Sequence, residues 1–126
     1  MSQTIFITGS STGLGRATAV LFARHGWRVL ASMRDPAGET ELGKLPGVTL
    51  LPLDVTRPAQ IEATVRDALA LGPVDVVFNN AGYGLAGPFE GATDEQIVAQ
   101  IDTNLLGTLR TTRAFIPALR ERGRVT

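Results

Sequence analysis

Cysteine is absent from these 126 residues, which excludes a disulfide framework and any thiol-based site. Net charge is absent too. Twelve basic and twelve acidic residues cancel, so no global field draws in nucleic acid or an anionic membrane surface, and neither is expected as a partner. No apolar run reaches the ~20 residues that span a bilayer. The opening segment reads as a strand rather than a charged region followed by an apolar stretch, so an untargeted protein of the reducing cytoplasm is expected. The single histidine, His25, falls near the end of a helical pattern and reads as a surface residue, so no metal site is expected. Lysine and tyrosine occur once each, as Lys44 and Tyr83.

Glycine, by contrast, is plentiful, with 14 residues, and three of them are clustered. Between the apolar run Ile5-Phe6-Ile7 and an amphipathic stretch from Leu14 lies Thr8-Gly9-Ser10-Ser11-Thr12-Gly13-Leu14-Gly15, which reads as a phosphate-cradling loop from strand to helix. Gly9 can turn the chain off the strand tip, Gly13 can admit a diphosphate close to the backbone, and Gly15 can let helix and sheet pack closely. The following helix would aim its unpaired N–H groups and positive dipole end at that anion. The spacing is Gly-x3-Gly-x-Gly rather than Gly-x-Gly-x2-Gly, and no Lys-Ser/Thr pair follows, so the loop is not a Walker loop.

The order of elements extends this reading. Leu14, Ala17, Thr18, Leu21 and Phe22 recur at helical spacing up to a cap at Gly26, and Trp27 to Met33 reads as a strand. A short helix is expected around Glu39 to Leu45, then the apolar run Val48 to Leu53. Thr56 is expected to cap a helix carrying Ile61, Val65, Ala68 and Leu69, which Gly72-Pro73 ends. Val74 to Phe78 reads as a fourth strand. Thr93 and Gln96 have capping-box spacing at the head of one long helix to about Leu119. A fifth strand would begin at Arg124-Val125-Thr126. Apolar strands alternating with amphipathic helices predict a parallel sheet covered on both faces. The expected fold is a Rossmann-type, doubly wound α/β sheet in order 3-2-1-4, one domain over 1–126, truncated at the start of the fifth strand. In that order the tips of strands 1 and 4 flank the reversal point where such sheets bind ligands.

Asp54-Val55 follows the third strand, Asn79-Asn80-Ala81-Gly82 follows the fourth, and Asn104-Leu105-Leu106-Gly107 lies in the long helix. With the glycine loop, these motifs resemble the short-chain dehydrogenase/reductase family, in order and spacing, from about Ile5 to the last residue. The resemblance implies that Gly9, Ser10, Ser11, Gly13, Leu14 and Gly15 hold a pyrophosphate and its ribose. It implies that Asp54 accepts from an adenine amine, that Val55 packs on that ring, and that Asn80, Ala81 and Gly82 lie beside the nicotinamide ribose. Cofactor choice turns on the tip of the second strand. A carboxylate there chelates a ribose diol, whereas a guanidinium pairs with a 2′-phosphate. Met33 occupies the tip and Arg34 follows, with Arg16 adding positive potential, so NADP(H) is favoured over NAD(H).

In this family a tyrosine protonates the carbonyl oxygen, its phenol activated by a lysine four residues later. Four residues after Tyr83 comes Gly87, so Tyr83 reads as a cleft-lining residue. Of the catalytic set only Asn104 is matched. The resemblance thus implies the cofactor-binding half of an oxidoreductase that moves hydride between NADP(H) and a small alcohol or carbonyl substrate, with the 126 residues alone inactive. The alternative is a catalytically inactive nucleotide-binding or interaction module. The long helix carries more apolar positions than one sheet face covers, and a homo-oligomer through that helix is expected.

Overall fold

The computed structural model describes residues 2–123 and residue 126. Four strands, β1 (Thr4–Ile7), β2 (Arg28–Met33), β3 (Val48–Pro52) and β4 (Val76–Phe78), form one parallel sheet in the order β3-β2-β1-β4. Among the described residues are four α-helices, α1 (Gly13–Arg24), α2 (Pro58–Ala70), α3 (Asp94–Ile101) and α4 (Gly107–Arg122), of which α1, α2 and α4 pack on the sheet. This is the doubly wound α/β arrangement, and the alternation along β1 shows why both faces must be covered. Phe6 enters a core with Leu30, Leu51, Ile61, Val65, Phe115 and Leu119, built by α2 and α4. Ile5 and Ile7 point the other way, into a core with Ala19, Val29, Ala31, Met33 and Leu42 beneath α1. The Phe6 and Phe115 rings sit 4.7 Å apart, both fully buried, and each such burial contributes about 1.5–3 kcal/mol.

Several boundaries differ from the sequence reading. Thr56 does not cap α2. Its hydroxyl donates to Asp54 Oδ1 at 2.6 Å, and Arg57 takes the cap position with Pro58 opening the helix, where proline's missing N–H costs nothing. The short helix expected at Glu39 to Leu45 is replaced by two 3-10 turns, Pro36–Gly38 and Leu42–Lys44. The paired part of the fourth strand starts at Val76, although Asp75 N–H already donates to the Thr4 carbonyl. The capping box of Thr93 and Gln96 forms with both of its hydrogen bonds. The helix it opens is interrupted by a π turn over Asp102–Leu106 before α4 runs on to Arg122.

The fifth strand expected at residues 124–126 falls mostly on residues 124 and 125, outside the described residues. The Thr126 carbonyl accepts from Val77 N–H at 2.8 Å, on the edge of β4 away from β1. Val98, Ile101, Leu105 and Leu109 remain exposed along α3, the π turn and α4. No helix among the described residues is long and apolar enough to cross a membrane, and those residues hold no cluster of metal-ligating side chains.

Candidate functional site

Thr8, at the end of β1, is buried, and its hydroxyl oxygen accepts from Asn80 N–H at 3.0 Å and Ala81 N–H at 2.9 Å. One side chain thereby ties the tips of β1 and β4 together. Asn80 returns the tie, its Nδ2 donating to the carbonyls of Thr8 and Gly9. The chain then turns at Gly9, whose φ of +66° suits glycine. A Cβ there would lie 2.9 Å from Ala81 Cα. Gly15 is the tightest position in this region, since its Cβ would meet Gly9 O at 2.3 Å and Asn80 Nδ2 at 2.4 Å. Gly13, at φ +56°, has no protein atom beyond its chain neighbours and its own helix backbone within 4 Å of its would-be Cβ. The three glycines thus divide the work of turn, open floor and close helix-sheet contact.

The α1 N-terminus faces this open floor. Thr12 makes no side-chain cap, and the first turn holds no acidic residue, so the leading backbone donors are left for an anion. In α3 the capping box and the acids Asp94 and Glu95 occupy the corresponding positions.

A cleft of about 580 Å³ opens here over the tips of the strands, within the range of small-molecule sites. Of the residues picked from sequence, Gly9, Ser11, Gly13, Leu14, Arg34, Asp54, Val55, Asn80, Ala81 and Gly82 line it. Three others do not. Ser10 is fully buried and donates its hydroxyl to the Ile7 carbonyl at 3.0 Å, which makes it a brace under the loop. Gly15 lies beneath the floor. Asn104 sits in the π turn and clasps the Tyr83 backbone, with Oδ1 accepting from its N–H at 2.9 Å and Nδ2 donating to its carbonyl at 2.6 Å. Thr12, Met33, Leu53, Thr56, Tyr83 and Thr103 complete the lining. Met33 and Tyr83 were legible as strand tip and cleft wall. Thr103 follows from its place next to Asn104, once the π turn is known.

On the β2 and β3 side the electrostatics are set by a few charges. Asp54 accepts from the Thr56 hydroxyl and, at 3.0 Å, from Thr56 N–H. Those bonds, chiefly the hydroxyl one, outweigh desolvation and lower its pKa, helped by Arg34 and Arg57. Val55, beside it, is buried against α4, where a Cβ on Gly107 would meet Val55 Cγ2 at 2.6 Å. Arg16 does not add a free charge to the cleft. Its guanidinium is paired with Glu39 at 2.5 Å.

The sequence model for short chain dehydrogenases matches residues 3–126. The chain belongs to the short chain dehydrogenase family. Among curated relatives, the oxidoreductase calM of Penicillium decumbens is 39% identical over 94% of this chain and 41% of its own length. Among solved structures, the 3-ketoacyl-(acyl-carrier-protein) reductase of Brucella melitensis, complexed with NADH, superposes with a TM-score of 0.90 at 31% identity. The match covers 96% of this chain and 51% of that one. The alcohol dehydrogenase of Thermococcus sibiricus, complexed with 5-hydroxy-NADP, gives 0.88 at 32% identity over 99% and 57%. The chain therefore spans about half the length of these proteins.

Proposed function

We propose that the cleft holds NADP(H) and that the chain is the cofactor-binding part of an oxidoreductase acting on a small alcohol or carbonyl compound. The nicotinamide would supply the hydride chemistry; the residues present would bind and orient it. The N–H groups at the head of α1 and the bare floor at Gly13 suit a diphosphate. Both Thr56 bonds to Asp54 fall on Oδ1, so Oδ2 is available for an adenine amine, with Val55 under the ring. Asn80, Ala81 and Gly82 lie where the nicotinamide ribose is expected, with the following Tyr83 backbone held by Asn104. A site of this kind in the cytoplasm, without nucleic acid or membrane partners, is the reading the composition supports.

The observation that favours the phosphorylated cofactor is at the end of β2. Arg34 lines the cleft, and Asp35 does not. Asp35 instead turns its carboxylate over Gly38, where a Cβ would lie 2.8 Å from Oδ2. A guanidinium at the strand tip, with the following carboxylate turned away, suits a 2′-phosphate and leaves a ribose diol without its acceptor. Arg34→Ala is expected to weaken NADPH binding about tenfold or more, the worth of one charge-assisted bond, and to leave NADH binding within about twofold. Calorimetric titration of both nucleotides measures this; equal losses would overturn the assignment.

The exposed side formed by Val98, Ile101, Leu105 and Leu109 is assigned to contact with a second copy. Sedimentation over a range of concentrations is expected to show association. A concentration-independent monomer would overturn that assignment.

A further inference from the structure

Three acids, Asp35, Glu39 and Glu41, follow Arg34 in the connection from β2 to β3, and the second, Glu39, reaches back across the molecule to α1. Its Oε2 lies 2.5 Å from Arg16 Nη1, in the first turn of that helix. Its Oε1 accepts from Glu41 N–H at 3.0 Å and from Leu42 N–H at 2.8 Å. Leu42 is buried among Ile5, Ile7, Ala19 and Met33. One carboxylate therefore joins the helix that faces the diphosphate floor, the 3-10 turn at Leu42–Lys44, and the core beneath them. The Arg16 guanidinium and the two backbone donors hold the Glu39 carboxyl down at about 2, so the contact is ionic at neutral pH. Arg34 is exposed, and among the described residues no hydrogen bond or ion pair fixes its guanidinium. Its backbone follows directly on β2, where Leu53 N–H donates to the Met33 carbonyl at 2.8 Å, and the first side-chain anchor after it along the connection is Glu39.

We propose that the Arg16–Glu39 pair is a specificity-determining tether, holding the β2–β3 connection against the first turn of α1 so that Arg34 stands at the cleft for a 2′-phosphate. The inference rests on the NADP(H) reading above and adds to it. Arg16 acts as a positioning residue, apart from the cleft and through Arg34. Pairs of partly exposed charges contribute little to global stability, so the tether's effect belongs in selectivity and local order.

The test titrates NADPH and NADH into wild type, Arg16→Met, Glu39→Gln, Arg34→Ala and the Arg16→Met/Arg34→Ala double variant. Hydrogen exchange at the Glu41 and Leu42 amides is followed in parallel. Arg16→Met and Glu39→Gln are each expected to lose about three- to tenfold in NADPH affinity, with NADH within about twofold. Arg16→Met is expected to speed exchange at both amides and to add no loss in the Arg34→Ala background. Arg16→Lys is expected to restore most of the affinity. If Arg16→Met and Arg34→Ala are additive, Arg16 acts through its own charge and the tether is wrong. If Glu39→Gln tightens NADPH, Glu39 only masks Arg16, and the tether is equally wrong. Unchanged amide exchange in Arg16→Met overturns it without reference to any cofactor. A non-selective loss in Arg34→Ala would instead overturn the 2′-phosphate reading, which the single variant reports separately.

Discussion

Gly13→Ala is expected to give a folded protein that has lost NADPH binding, whereas Gly15→Ala is expected to lose stability and binding together. The two residues are separated by a single position, and their surroundings are opposite. At Gly13 the new methyl meets no protein atom beyond its chain neighbours and its own helix backbone within 4 Å, so its cost is the left-handed backbone, about 1–2 kcal/mol. The methyl nevertheless stands on the floor where, in the proposed binding mode, a diphosphate would approach the α1 donors. Loss of two charge-assisted hydrogen bonds, at about 1.5–3 kcal/mol each, corresponds to about a hundredfold or more in affinity. At Gly15 the methyl would be driven against the Gly9 carbonyl at 2.3 Å and Asn80 Nδ2 at 2.4 Å. Overpacking costs about 1–3 kcal/mol, and displacing Asn80 from its two carbonyl partners adds about 1 kcal/mol for each. A fall in melting temperature of roughly 10–20 °C follows for a chain of this size. Thermal melts paired with calorimetry separate the two cases. Full NADPH affinity in Gly13→Ala would show that the diphosphate lies elsewhere.

The 126-residue chain is also expected to show no NADPH oxidation above background with any ketone or aldehyde. Carbonyl reduction needs an acid at the oxygen, and losing one costs about 10²- to 10⁴-fold. Tyr83 is the only phenol in the chain. It lines the cleft, but no lysine is near it in sequence. The one lysine, Lys44, is paired with Glu41 on the exposed turn between β2 and β3. On the proposed reading the chain would hold and orient a nicotinamide without supplying the proton. The assay follows absorbance at saturating NADPH across a carbonyl panel. Robust turnover that disappears in Tyr83→Phe would show that this tyrosine, in this setting, is the acid.

Where sequence and structure agree, the deciding physics is local. The glycine loop, the apolar strands and the capping box each depend on residues a few positions apart, so order, type and face could be read along the chain. The strand order came with the doubly wound class that the alternation of elements implies, and the sheet has it. Where they part, a side chain has been taken by a partner that the spacing does not reveal. Thr56 has the chemistry of a cap, but its hydroxyl is engaged by Asp54, and the cap passes to Arg57 with Pro58. Ser10 sits in a phosphate-loop motif, yet its hydroxyl is turned inward to the Ile7 carbonyl. Arg16 looks like a cleft cation until Glu39, 23 residues later, is brought against it. The π turn was hidden for a different reason: helical periodicity over Thr93 to Leu119 tolerates one extra residue without losing its apolar stripe.

That extra residue sets how the segments around it are aimed. Each residue advances an α-helix by about 100°, so α3 and α4 are out of phase with what an unbroken helix would give. Asn104 consequently reaches Tyr83 while Gly107, a turn later, packs on Val55. In this stretch the length of the chain matters more than its lettering. A substitution within Asp102–Leu106 other than at Asn104 leaves both contacts in register, but deletion of one residue would wind the segment into regular helix and swing everything before it by about 100°. The segment behaves as a gear with a fixed number of teeth, where insertions and deletions are the damaging changes.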